Sequence, residues 1–171
     1  SSAAYLFFIT FRDFFIKKFN NISQNIAHFG FSLLILSILF NSLFSSEIIT
    51  NLKVGETFED LNTKIILKSI EQKEEKNFKS IIANFNIENS KGIIENLSPE
   101  LRIYNQPNIV TSEADIKTTM MSDKFIVINV VQNQDYFNVR YQVKPFMLWI
   151  WLSVLLISFG GLLSLFKKNY E

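Results

Sequence analysis

The sequence predicts a membrane protein in which transmembrane α-helices flank a small all-β extracytoplasmic domain, folded as an antiparallel sandwich or barrel. Two observations support this fold class. Residues Phe19–Ser46 and Pro145–Phe166 contain no Asp, Glu, Lys or Arg. The segment between them, residues 47–144, carries most of the charge and has the alternating apolar and polar residues that are typical of strands.

Residues 1–21 are predicted to hold the end of a preceding helix and a cytoplasmic loop. Ser1–Phe11 is apolar but too short to span a bilayer, so an interfacial segment is an alternative. A signal peptide is excluded, because its charged residues would precede the apolar run, and here they follow it. Since the chain begins without Met inside this run, we expect it to be the C-terminal part of a longer protein.

The next element is a transmembrane helix, predicted at residues 22–46. Its uncharged stretch Ile26–Phe44 is close to the ~20 apolar residues that a helix needs to cross a bilayer core. A second transmembrane helix is predicted at residues 145–166, where Phe146–Phe166 meets the same requirement. A buried core helix could have either composition, but two such runs at opposite ends of one small domain favour the membrane interpretation.

The segment between the two helices is predicted to consist of strands and turns. Ile81–Glu88 and Phe137–Lys144 alternate with period two, as half-buried strands do. Phe125–Val131 is rich in β-branched residues and is predicted to be a central strand. Glu71–Asn77 is predicted to be a charged turn, and Asn89–Gly92 a hairpin turn.

Basic residues predict the orientation of the two helices. They precede the first helix and follow the second, at Arg12, Lys17, Lys18, Lys167 and Lys168. The positive-inside rule places both sets in the cytoplasm. The β domain is then extracytoplasmic, and residues 167–171 form a cytoplasmic tail. Trp149 and Trp151 would lie in the aromatic belt at the outer interface, facing nearly opposite sides of their helix.

Composition excludes several kinds of function. A net charge of +1 without a basic patch argues against a nucleic-acid partner. The chain has no cysteine, which excludes disulfides, thiol catalysis and cysteine metal sites. Charged residues of the β domain are dispersed in sequence and are predicted to be solvated, namely Glu100, Arg102, Glu113, Asp115, Asp123 and Arg140. No residue is therefore predicted to be catalytic.

His28 is the residue that suggests a chemical role. It is the only histidine, and it lies inside the first hydrophobic run. An ionisable side chain in a membrane helix is costly, which favours a function, and neutral imidazole is a common haem ligand. The alternative is a histidine near the headgroups or hydrogen-bonded to another helix. One histidine supplies one axial ligand, so a second would come from outside this chain.

Glycines near His28 have two interpretations. Gly30 could leave room for a flat ligand or let two helices pack closely. Gly160 and Gly161 in the second helix are predicted to serve helix packing.

Two other functions remain open from the residues alone. The helices could anchor an outer β domain that only docks a partner, or the β domain could be the receptor of a small-molecule sensor or transporter subunit. Haem binding requires an absorption band that depends on His28, whereas docking requires a partner and no chromophore. A transporter would be expected to have polar or broken helix positions near the midplane, which the sequence does not show.

Several passages together resemble one known family. They are Ile26–Gly30 (with an "AHxG" pattern), Leu52–Glu56, Leu97–Tyr104, Thr111–Ile116, Asp123 before Phe125, Val139–Phe146, Trp149–Trp151 and Gly160–Gly161. Their order and spacing resemble the C-terminal part of the CcmF family (CcmF, CycK and NrfE), the membrane subunits of the bacterial cytochrome c haem lyase. The resemblance runs from about Asn20 to the C-terminus. It departs at Phe166–Lys168, where the family tends to have an acidic and arginine-containing tail.

The resemblance implies a site and a set of partners. Such proteins take haem from a haem chaperone and attach it through thioether bonds to the thiols of apocytochrome c, with a partner subunit that carries CxxC thiol chemistry. They also hold haem b between two transmembrane histidines, and His28 matches the second of these. The implied location is the bacterial inner membrane, in contact with lipid, with the β domain in the periplasm and both termini in the cytoplasm.

The resemblance also limits what this chain does by itself. The first histidine, the tryptophan-rich loop for the substrate haem and its flanking histidines lie upstream in the family, outside this chain. The chain is therefore expected to contribute the His28 half of a haem b site and the outer β domain, and not to be a complete lyase. The resident haem is expected to pass an electron that keeps the substrate haem reduced.

Overall fold

Three helices and ten strands form the regular structure of the described residues in the computed structural model, which are 2–16, 22–60, 63–90, 92–130 and 135–168. The helices are α1 (Ser2–Ile16), α2 (Ile22–Phe44) and α3 (Met147–Lys168). The strands are β1 (Ser46–Leu52), β2 (Thr57–Asp60), β3 (Thr63–Glu74), β4 (Phe78–Asn89), β5 (Ile94–Leu97), β6 (Glu100–Asn105), β7 (Asn108–Glu113), β8 (Asp115–Thr118), β9 (Ser122–Val130) and β10 (Phe137–Pro145). The predicted cytoplasmic residues Lys17 and Lys18 lie outside the described residues, as do residues 169–171 of the predicted tail.

The chain divides into two compact units. The helical unit contains residues 1–45, 118–123 and 144–171, and the β unit contains residues 46–117 and 124–143. Within the described residues, α2 and α3 are long and apolar enough to cross a membrane, judged by length and composition. At 15 residues, α1 is shorter than the roughly 20 that a span requires.

The β unit is an antiparallel sandwich, as the sequence predicts. One sheet has the strand order β1-β10-β9-β8, and the other has the order β2-β3-β4-β6-β7, with β5 also paired to β4. The predicted strand at Phe125–Val131 is confirmed as β9, which lies between β10 and β8. Its last predicted residue, Val131, lies outside the described residues.

The sandwich core follows from the period-two pattern of its strands. Apolar side chains from both sheets are buried together, namely Leu52, Ile65, Leu67, Ala83, Phe85, Ile87, Leu97, Leu101, Ile126, Ile128, Val139 and Tyr141. In β4 the buried residues Ala83, Phe85 and Ile87 alternate with half-buried neighbours, because successive strand side chains point to opposite faces. Ile81, predicted on the same face, is only half-buried and packs at the edge of this core.

The two predicted turns beside β4 have different outcomes. The hairpin turn at Asn89–Gly92 is confirmed, since β4 pairs with β5 and the amide of Gly92 donates to the Asn89 carbonyl at 2.9 Å. Gly92 has φ +72°, which glycine adopts without steric cost. The turn predicted at Glu71–Asn77 is shorter than expected, because Glu71–Glu74 continue β3. Cross-strand pairing with β4 satisfies this charged end, where Lys79 Nζ lies 2.7 Å from Glu74 Oε1.

Among the described residues of the β unit, one charged side chain is buried. Glu95 is only 8% exposed, and its carboxylate lies 2.8 Å from Lys124 Nζ and 3.8 Å from Lys117 Nζ. A buried carboxylate needs such partners, because its desolvation is costly. Nearby, burial raises the pKa of Tyr141 to about 12, with a further contribution from the negative charge of Glu95.

In the helical unit, α2 packs against α3 through glycines. A Cβ atom at Gly160 would lie 2.7 Å from the Ser23 carbonyl oxygen and 2.8 Å from the Ala27 backbone nitrogen. A Cβ atom at Gly30 would lie 3.0 Å from the backbone nitrogen and Cγ1 of Ile157. The two backbones therefore approach each other closely at both glycines, as small residues allow in membrane helices.

Helix α1 packs against α2 through aromatic rings and one polar contact. The ring centroids of Phe7 and Phe11 lie 5.7 Å and 6.0 Å from that of Phe29. The hydroxyl oxygens of Thr10 and Ser32 are 2.6 Å apart, and Ser32 is buried. The Ser32 hydroxyl also donates to the Phe29 carbonyl, so this buried polar group is satisfied.

We expect Gly160→Ala to destabilise the helical unit and Gly161→Ala to leave its stability nearly unchanged. The added methyl at position 160 would overlap the backbone of α2, and overpacking costs about 1–3 kcal/mol. A Cβ atom at Gly161 meets no atom within 4 Å. The measurement is the free energy of unfolding in a titration of mixed micelles with SDS. Equal losses for the two variants would contradict the helix contact.

We expect the stability of the β unit to fall as the pH rises from about 10 to about 12, in part because of Tyr141. In that range the unfolded chain loses the phenolic proton while the folded chain retains it. The free energy of unfolding therefore falls by up to about 2 kcal/mol. Urea unfolding followed by pulse proteolysis at a series of pH values measures this loss. Tyr141→Phe should reduce the alkaline loss, and Tyr104→Phe, at a half-buried strand position, is the matched control.

Candidate functional site

His28 lies on α2 beside a groove that α3 completes. The groove has a volume of about 380 Å³, and the side chain of His28 is exposed. Helix α2 contributes Ser23, Gln24, Ala27 and His28, and helix α3 contributes Gly160, Gly161 and Ser164. The members within each helix lie three to five residues apart or adjacent, so they share one side of it.

The two glycines of α3 have different roles in this groove. Gly160 packs against α2, as predicted, whereas Gly161 makes no such contact with the described residues. A Cβ atom at Gly161 would meet no atom within 4 Å, whereas one at Gly160 would meet α2 backbone atoms. Adjacent residues on a helix point about 100° apart, so of this pair only Gly160 faces the α2 backbone.

Gly30 also has a clear role. Of its two predicted interpretations, the structure supports close packing, because the nearest atoms to an added Cβ belong to α3 at Ile157 and Leu156. Open space is found instead at Gly161, which lines the groove and where an added Cβ would meet no atom within 4 Å. The sequence signal that could have indicated this is the pair Gly161 and Ser164, two small residues three apart on one helix face.

The residues of the groove fit a flat metal complex such as haem. The imidazole of His28 offers a nitrogen donor of the type that haem iron accepts. The face of α3 opposite it is open at Gly161, where no side chain occupies the space. The groove is open on its outer side, and His28 is the only histidine of the sequence. The chain can therefore provide one axial ligand and one wall of such a site.

Among the charged residues predicted to be dispersed, three are close together. Arg102 Nη2 lies 2.9 Å from Glu100 Oε2, which is two residues earlier on the same strand, β6. Arg102 Nη1 lies 3.9 Å from Glu113 Oε1 on the neighbouring strand, β7. The hydrogen bond from Arg102 holds the pKa of Glu100 below its usual value. The guanidinium group also lies 5.3 Å from the ring centroid of Phe78. These partners of Arg102 lie on strands of the same sheet, so we interpret the cluster as contacts that stabilise this sheet.

The other three charged residues have separate positions. The Asp115 carboxylate accepts a hydrogen bond from the Ser98 amide at 2.6 Å, and Arg140 pairs with Glu47 across β10 and β1. Asp123 belongs to the helical unit. Within the part of the chain that the structure describes, no group of three His, Cys, Asp or Glu side chains could hold a metal ion.

The buried Glu95 was not predicted from the sequence. Its neighbours Ile93, Ile94 and Leu97 are apolar, which is the one local sign that a carboxylate here could be enclosed. Its partner Lys124 is 29 positions away along the chain, and only the sandwich brings the two together.

Curated proteins with a similar sequence are involved in cytochrome c biogenesis. The chain is 37% identical over 119 residues to the cytochrome c-type biogenesis protein ccl1 of Rhodobacter capsulatus. This alignment covers 70% of the chain and 18% of that protein. It is 30% identical over 148 residues to the cytochrome c-type biogenesis protein CcmF of Pseudomonas fluorescens, covering 86% of this chain and 22% of that protein. The chain thus spans about a fifth of the length of these relatives.

One solved structure has a similar fold, and one family model matches the β unit. The structure titled Cytochrome c Heme Lyase CcmF shares the fold, with a TM-score of 0.68 and 16% identity over 94% of this chain and 28% of that one. The family model described as CcmF C-terminal beta-sandwich matches residues 43–145, which is more than half of the chain. This protein therefore belongs to the CcmF C-terminal beta-sandwich family.

Proposed function

We propose that this chain is the C-terminal part of a cytochrome c haem lyase membrane subunit, in which α2 and α3 provide one half of a haem b site. The relatives that match the chain are cytochrome c-type biogenesis proteins, and the similar fold belongs to a haem lyase. The observation that carries the proposal is the groove that His28 and Gly161 line together, with no atom within 4 Å of a Cβ placed at Gly161.

In this proposal His28 would hold the haem by donating an imidazole nitrogen to its iron. His28 lines the groove and directly follows Ala27, which contacts Gly160 of α3. That contact limits where the His28 side chain can lie, because the α2 backbone cannot move away from α3 without losing the packing at Gly160. The second axial histidine belongs to a part of the protein outside this chain, because this sequence has no other histidine.

The other residues of the groove would hold and shield the porphyrin. Gly161 would let one face of the ring approach the α3 backbone, and the hydroxyl of Ser164 would offer a polar partner at the groove margin. A haem bound here would supply a redox-active iron that can keep the substrate haem in its ferrous state. No residue of this chain is proposed to form or break the thioether bonds.

The placement and partners follow from the same proposal. Helices α2 and α3 would span the bacterial inner membrane with the β unit in the periplasm and both termini in the cytoplasm, in agreement with the charges at Arg12 and Lys168. The partners are membrane lipid, haem, a haem chaperone, apocytochrome c, and a subunit with CxxC thiol chemistry. The similarity to haem lyases favours this function over a β domain that only docks a partner.

We expect His28→Gly in the full-length protein, purified in detergent, to lose or shift the absorption bands of reduced haem b. A cavity would replace the imidazole, so free imidazole added to the purified variant should restore the bands in part. Pyridine haemochrome analysis measures the haem content independently of lyase activity. An unchanged spectrum of the His28→Gly variant would show that His28 does not bind the haem iron.

A matched variant separates ligation from helix packing. Phe31→Leu changes an exposed residue of α2 that does not line the groove, and it should retain the haem bands. If both variants lost haem equally and both unfolded at lower SDS concentration, the loss would come from packing, and axial ligation by His28 would be contradicted.

We expect Gly161→Leu to lower the haem content without weakening the contact between α2 and α3. The leucine side chain would fill the space that we assign to the porphyrin, whereas it would meet no protein atom near its Cβ. Gly161→Ala should have a smaller effect, and Phe159→Leu, on another side of the same helix, should have none. Retention of full haem content in Gly161→Leu would place the porphyrin elsewhere.

A further inference from the structure

A short turn with two exposed methionines is fixed to the start of α3. The methionine turn, Thr119–Ser122, belongs to the helical unit. Its backbone is closed by a hydrogen bond from the Thr119 amide to the Ser122 carbonyl at 3.0 Å. The Thr119 hydroxyl also donates to the Ser122 carbonyl at 2.7 Å and accepts from the Ser122 amide at 3.1 Å. The turn is therefore internally bonded at both ends.

Two hydrogen bonds join the methionine turn to α3. Trp149 Nε1 donates to the Met120 carbonyl oxygen at 2.9 Å, and the Phe146 amide donates to the Met121 carbonyl oxygen at 2.9 Å. Phe146 has φ +61°, an uncommon conformation for a bulky residue. Its ring lies 5.2 Å from that of Phe40 on α2, which helps to hold it there. The turn thus lies at the level of the first turn of α3.

The side chains of the methionine turn are not used by these contacts. Met120 is 68% exposed and Met121 is 64% exposed, and both bond to α3 only through their backbones. The turn itself contains no charged residue. Exposed apolar side chains continue from it onto the first turns of α3, at Leu148, Trp151 and Leu152. Two large apolar groups are therefore presented together by a rigid backbone.

We propose that the methionine turn inserts Met120 and Met121 into the interfacial region of the lipid bilayer at the outer end of α3. This inference rests on the proposed membrane placement of α3. The indole of Trp149 has an apolar body and a polar N–H, a combination that favours the membrane interface, and its N–H sets the depth of Met120. Methionine is apolar and flexible, so it adapts to the irregular boundary between headgroups and acyl chains.

Lipid fits this surface better than water. Exposure of the two methionines to water would forgo the favourable free energy of burying their apolar area. The bilayer also continues along the exposed apolar face of α3, which requires no separate partner for the turn.

Single cysteines with an environment-sensitive NBD label test this placement. The chain has no cysteine, so Met120→Cys and Met121→Cys are each unique labelling sites within it. The full-length protein, free of other reactive cysteines, is labelled and placed in phosphatidylcholine vesicles. Quenching is measured with aqueous iodide and with lipids that carry a nitroxide at the headgroup or at mid-chain. Leu155→Cys, 67% exposed on α3, reports the membrane core, and Lys76→Cys, in a charged turn, reports water.

We expect labels at positions 120 and 121 to lose more fluorescence with headgroup nitroxide than with mid-chain nitroxide, and less with iodide than the label at position 76. Iodide quenching equal to that at position 76 would place the turn in water. Protection from both iodide and lipid nitroxides would indicate a protein partner. Either result overturns the proposal while the label at position 155 remains quenched by lipid. If position 155 is not quenched by lipid, the membrane placement itself fails.

Discussion

The close approach of α2 and α3 is the contact on which the helical unit depends. Between helices in lipid, van der Waals packing takes much of the role that the hydrophobic effect has in water, so small residues determine how near two helices come. Gly160 meets the backbone of Ser23 and Ala27, and Gly30 meets Ile157. Ala27 precedes His28 and Gly161 follows Gly160. The same contact that joins the helices therefore brings the imidazole and the open glycine to one groove.

The β unit is stabilised in a different way. Twelve buried residues from both sheets form its core, so its stability comes from apolar burial in the pattern that alternating strands provide. The buried pair of Glu95 and Lys124 adds little net free energy, because desolvation of the two charges offsets their attraction. Removal of the Glu95 carboxylate would be costly, however, since it would leave the mostly buried ammonium group of Lys124 without this partner. The pair therefore restricts which packing of β5 and β9 is tolerated.

The junction at the start of α3 connects strand and helix chemistry in a few residues. Pro145 ends β10 and cannot donate a backbone hydrogen bond, but its carbonyl accepts one from the Asn41 side chain at 2.6 Å. Phe146 then takes a positive φ, and its amide bonds to Met121. Trp149 and Trp151 face different surroundings, as their two-residue spacing predicts, since Trp149 bonds to Met120 and Trp151 is 64% exposed. Hydrogen bonds thus fix the start of α3, while the apolar side chain of Trp151 is exposed.

The sequence by itself predicted the two long helices, the strand-rich domain and one candidate ligand residue. Charge-free runs, period-two alternation and a single histidine depend on local composition, and they led to α2, α3, the sandwich and His28 as the candidate ligand. Local pattern also misplaced the end of β3, because Glu71–Glu74 are charged yet find partners across the ladder on β4. Only the tertiary structure distinguished Gly160 from Gly161 and paired Glu95 with Lys124, residues that are 29 positions apart. Which face of a helix meets its neighbour, and which distant strands meet across a core, depend on the packing of whole elements, and no short stretch of sequence contains that information.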